Sequence, residues 1–64
     1  MKKYRVTVEM QGGHWTAAIE AESAREAARI GRELAPEPDL GGWARELVET
    51  PEGPELGEEG WSWP

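Results

Sequence analysis

"KYRVTVEMQGGHWTAAIEAE", Lys3 to Glu22, decides the fold. From Lys3 to Met10, the residues Tyr4, Val6, Val8 and Met10 alternate with Lys3, Arg5, Thr7 and Glu9, the period-two pattern of a strand buried on one face. Trp15 to Glu22 repeats it, with Trp15, Ala17, Ile19 and Ala21 on the apolar side. Between the runs lies Gln11-Gly12-Gly13-His14, whose glycines take positive φ without strain, so the stretch reads as a β-hairpin. Opposed residues share a face, so partner numbers must sum to an odd value. A sum of 25 sets Arg5 against Glu20 and Lys3 against Glu22, pairs of opposite charge worth up to about 1 kcal/mol each. A sum of 23 makes a tighter Gln11-Gly12 turn but leaves Arg5 facing Ala18. The charge pairing favours 25, with a four-residue loop.

Outward from the hairpin, Ser23 and Glu26 match a capping box, and Ala24, Ala27, Ala28, Gly31, Leu34 and Ala35 follow at helical spacing, with Ile30 broadening the stripe. Pro36 and Pro38 end the helix. Its core face is nearly all small residues, so bulk must come from the sheet side, from Tyr4, Val6, Val8, Trp15 and Ile19. Residues 43–50 fit two patterns. Leu40, Trp43, Ala44, Leu47 and Val48 have helical spacing, but Gly41-Gly42 would fall in the first turn. A third strand is favoured, because a hairpin plus one helix leaves the sheet too narrow for independent stability. Residues 1–50 then form a single small α+β domain. Residues 51–64 are an acidic, Gly/Pro-rich segment ending in Trp61-Ser62-Trp63, whose indoles share a face if the backbone is extended.

The first 35 residues, through "KKYRVTVEM" and "WTAAIEAESAREAARIGREL", resemble the small β-β-α proteins of bacterial mobile elements, among them the DpnD/PcfM-like group. More distantly the order is similar to that of HicB-like antitoxins, although those carry a glycine-rich insertion for which Glu20-Ala21-Glu22-Ser23 leaves no room. The resemblance implies a β-β-α(-β) fold and supplies no catalytic motif.

Composition narrows the function. A 64-residue chain is one domain and hides only about 60% of the surface its unfolded form exposes. Cysteine is absent, which removes disulfides and thiolate metal sites, and the single His14 argues against a histidine-built metal centre. Oligomerisation is the remaining common reinforcement. Up to Pro36 the chain carries six Lys/Arg against five Asp/Glu; from Glu37 onward, one Arg against eight Asp/Glu. The net charge of −6 disfavours nucleic-acid binding. No apolar run is long enough to span a bilayer, and no hydrophobic segment follows Met1-Lys2-Lys3, so a cytoplasmic location is expected. The lack of asparagine and the single glutamine, Gln11, lean toward a GC-rich or thermophilic source.

Candidate chemistry is sparse. His14 is an isolated loop residue, Ser23 is occupied as a cap, Ser62 lies in the tail, and no nucleophile–base motif accompanies them. Glu58-Glu59 lack the spacing of a cation loop and read as a solvated acidic linker. Arg25, Arg29 and Arg32 share one helix flank and suit an acidic protein surface, which this chain's own acidic tail also offers. Trp61 and Trp63 have three possible destinations: an extra edge strand or cover on their own sheet, a second copy, or a groove on another protein.

The expected fold is therefore α+β, two-layer β-β-α-β: an antiparallel three- or four-stranded sheet with one helix packed on one face. The expected function is a non-enzymatic interaction module, homodimeric, with no cofactor and no metal, acting as an accessory regulator of a mobile element or phage. Its partner-binding residues are Trp61, Trp63, Arg25, Arg29 and Arg32. The alternative is an acidic decoy that occupies a basic nucleic-acid-binding surface of a host protein through Glu49, Glu52, Glu55, Glu58 and Glu59.

Overall fold

The computed structural model describes residues 1–64. The alternating runs form β1 (Lys2–Met10) and β2 (Gly13–Ala21), followed by helix α1 (Ala24–Leu34), β3 (Gly42–Thr50) and β4 (Gly53–Trp63). One sheet contains all four strands in the order β2-β1-β3-β4, every neighbouring pair antiparallel. The helix lies across one face of this α+β sheet. Residues 42–50 are thus a strand, and the chain beyond them supplies a fourth. No helix is long and apolar enough to cross a membrane.

The hairpin register differs from the expected one. Tyr4 faces Ile19, Val8 faces Trp15 and Met10 faces Gly13, so partner numbers sum to 23 and Arg5 does sit opposite Ala18. The two registers keep the same residues inside, so burial does not separate them. The exposed charge pairs behind the choice of 25 are worth only a few tenths of a kcal/mol in water. A two-residue turn closes the strands tightly, with Gly13 at φ +140 opening the return strand. Lys3 keeps an acidic partner, Glu20.

Ser23 caps α1 by accepting the Glu26 N–H at 3.1 Å. The Glu26 carboxylate reaches back to the Glu22 N–H at 3.2 Å, one residue before the ideal capping-box position. Ala24, Ala27, Ala28 and Gly31 are buried against Tyr4, Val6, Val8, Ile19, Ala21 and Ala44. The small stripe brings helix and sheet close together: a Cβ on Gly31 would lie 2.5 Å from Val6 Cγ1. Leu34, expected in that stripe, is 61% exposed, because it lies on the shoulder of the helix beside Ile30.

The tail takes the first of its three possible destinations. Gly42 to Arg45 pair with Trp63 to Gly60, and Leu47 to Thr50 pair with Leu56 to Gly53. Between these two blocks β4 bulges through Gly57, Glu58 and Glu59 opposite the single residue Glu46. Arg45 holds the bulge by donating from Nε to the Gly57 carbonyl at 2.9 Å.

Candidate functional site

Four of the five residues singled out as partner-binding, Arg25, Arg32, Trp61 and Trp63, meet along the seam between α1 and β4, and Arg29 only lines the same groove as Trp61. Alternation puts Glu59, Trp61 and Trp63 on the helix side of β4, and the arginine flank of α1 leans over them. The Arg25 guanidinium stands 5.1 Å from the Trp61 ring centre, and that of Arg32 stands 5.3 Å from the Trp63 ring centre. Both are within cation–π range. Trp63 is partly buried against the core and donates its indole N–H to Asp39 Oδ1 at 2.9 Å. Arg32 Nε donates to Asp39 Oδ2 at 3.2 Å, closing a three-membered cluster. Arg29 pairs only with the exposed Glu33, at 3.1 Å.

Glu59 was expected in a solvated linker; the structure corrects this. Its carboxylate accepts from the Tyr4 hydroxyl at 2.8 Å, from the Ala24 N–H at 3.1 Å and from Lys2 Nζ at 3.2 Å. One side chain thereby satisfies a buried phenol and a free amide of the first helical turn, joining β4 to β1 and α1. The Tyr4 hydroxyl, the Ala24 N–H and the Trp63 indole all need acceptors, a demand that composition does not reveal. Period-two alternation does carry a signal, because it places Glu59 on the same face as Trp61 and Trp63.

These contacts set the titration behaviour. The Tyr4 hydroxyl, the Lys2 ammonium and the Ala24 amide hold the Glu59 carboxyl below its ordinary value of 4.5. The Trp63 indole N–H, aided by Arg32, lowers Asp39 against the opposing effect of burial. Burial, and then the Glu59 carboxylate, push Tyr4 up to about 12. For both carboxylates the unfolded chain binds protons more readily than the folded one. Their contribution is complete above the unfolded pKa and is lost as pH falls through the folded one. The melting temperature is therefore expected to hold above about pH 5 and to fall progressively as pH drops below the ordinary carboxylate values. Glu59→Gln should flatten part of that fall; identical Tm–pH curves for the two proteins would refute the assignment.

Trp61 remains 41% exposed and borders two grooves. One, of about 470 Å³, runs beneath the arginine flank and includes Ser23, Arg25, Glu26, Arg29 and Arg32. The other, of about 360 Å³, is mostly apolar and adds Trp43, Leu56, Arg45 and Ser62. His14 is exposed in the hairpin, the Ser23 hydroxyl is taken by the helix cap, and no group of three or more His, Asp or Glu stands close enough to hold a metal ion. Comparison with protein families, with curated proteins and with solved structures finds no match for this chain.

Proposed function

We propose that the protein is a non-catalytic interaction module, working as a homodimer, that grips a partner protein at Trp61. The observation that carries this reading is the position of Trp61 between a basic groove and an apolar one, half exposed and steadied by Arg25. Exposed tryptophan flanked by arginine is the composition of binding hot spots. The grooves suit a segment that offers an apolar side chain to Trp43 and Leu56 and a carboxylate to Arg29. The mobile-element resemblance of the first 35 residues supports a role as an accessory regulator. The decoy alternative is the weaker reading, because Glu59 is already committed to Tyr4, Ala24 and Lys2.

Affinity capture from the native host, comparing the wild-type chain with Trp61→Ala and Arg29→Glu, tests the assignment. Trp61→Ala should weaken capture of the same partner by about 2 kcal/mol, roughly thirtyfold in Kd. The fold should survive, because Trp63 and Glu59 still tie β4 down. Equal capture by all three proteins would reject the site.

A further inference from the structure

We propose that a second copy of this chain adds to the open edge of β2, joining two four-stranded sheets into one eight-stranded sheet about a two-fold axis at Ala17. The proposal rests on the homodimeric part of the function above and assigns it a surface away from Trp61.

The two outer edges of the sheet are built differently. β4 carries Pro54, a bulge at Gly57–Glu59 and the acidic residues Glu55 and Glu58, all features that discourage strand addition. β2 runs for nine residues without proline, lysine or bulge. Its free backbone groups can be identified. Glu9 donates its N–H to Gly41 and accepts from the Leu40 N–H, so both its polar groups point toward the β3 side of β1. Alternation then directs Tyr4, Val6, Val8 and Met10 toward β2, where they bond Ile19, Ala17, Trp15 and Gly13. The N–H and C=O groups of His14, Thr16, Ala18 and Glu20 consequently face outward, and all four residues are exposed.

This edge is complementary to itself. In an antiparallel pairing centred on Ala17, Thr16 bonds Ala18 of the other copy and His14 bonds Glu20, so every outward group finds a partner. On the helix side Trp15 meets Ile19. On the polar side the rungs read Lys3, Glu20, His14 and Glu9 across the two hairpins, with each carboxylate beside a basic or neutral neighbour. The helix agrees. Its arginines lean toward β4, so Ile30 and the 61%-exposed Leu34 lie on the opposite shoulder, toward β2, where the second copy's helix would cover them.

The absence of cysteine makes the register directly testable. Ala17→Cys places one thiol at the axis, in a non-hydrogen-bonded pair whose Cα atoms lie about 4.5 Å apart, within disulfide range. Under copper–phenanthroline oxidation Ala17→Cys should cross-link rapidly to twice the 7.1 kDa chain mass, and Ala18→Cys, which faces Thr16 of the other copy, should not. Sedimentation of the full chain should show a dimer, and Ala18→Pro should weaken it more than about a hundredfold while keeping the intramolecular ladder and the circular dichroism spectrum. Trp61→Ala should leave the dimer intact, so loss of partner capture and loss of dimerisation are separable. A monomer at high concentration overturns the proposal, as does a dimer indifferent to Ala18→Pro, or one in which Ala18→Cys cross-links in preference to Ala17→Cys.

Discussion

Deletion of residues 56–64 is expected to leave a chain that does not fold at 25 °C. A domain of 64 residues has about 3 to 10 kcal/mol of stability in total. The deletion exposes the core flank that Trp63 covers and removes both indoles from their arginines. Burying apolar side chains of this size contributes about 1.5 to 3 kcal/mol each when complete, and these two are partly buried. It also strips the Tyr4 hydroxyl, which is fully inaccessible, of its acceptor. A hydrogen bond to a charged group contributes about 1.5 to 3 kcal/mol. The first helical turn loses the acceptor of its Ala24 N–H as well. Together these losses match the whole stability of the domain. Circular dichroism and the dispersion of amide proton shifts should show a largely unfolded chain. A truncated protein that keeps the wild-type Tm would refute this account of the C-terminal strand.

Gly42→Ala is expected to destabilise by about 3 kcal/mol, the upper end for overpacking, and to lower Tm by more than about 10 °C. Gly42 stands opposite Val8 on one side and Trp63 on the other. An added Cβ would collide with the Thr7 carbonyl oxygen and come within 2.6 and 2.8 Å of the Trp63 ring. The ring fills the space a side chain would take, and from there its N–H reaches Asp39 while Arg32 covers its face. The methyl group must displace either backbone or indole, so the Trp63 fluorescence environment should change along with Tm. A loss below about 1 kcal/mol would mean that the seam is softer than this packing implies.

Gly41-Gly42 also illustrates how far local pattern reaches. The pair argues against a helix over residues 43–50, and a strand is indeed what forms there. Its local purpose, making room for an indole more than twenty residues downstream, has no local signature. Glu59 behaves similarly. Beside Glu58 and between glycines it has the composition of a linker, and only the approach of Tyr4 and the helix N-terminus gives it three donors. The arginine flank and the two terminal tryptophans were both legible by spacing. The tail was an available partner for the arginines by its acidic charge, but that the indoles make the contact was not legible, because spacing says which residues share a face and nothing about which faces meet.

Taken alone, the order of residues determined what alternation and capping can determine: two strands that bury Tyr4, Val6, Val8 and Ile19, a helix begun by Ser23 and lined with alanine, and an acidic half carrying two of its three indoles at the end. Tertiary structure decided the hairpin register, the pairing of β3 with β1, and the docking of the last strand on β3. The physical reason is one of range. Period and caps are properties of neighbours a few residues apart, whereas register and strand order depend on which distant groups satisfy one another. Here those groups are Tyr4, Ala24 and Lys2 around Glu59, and Asp39 between Arg32 and Trp63.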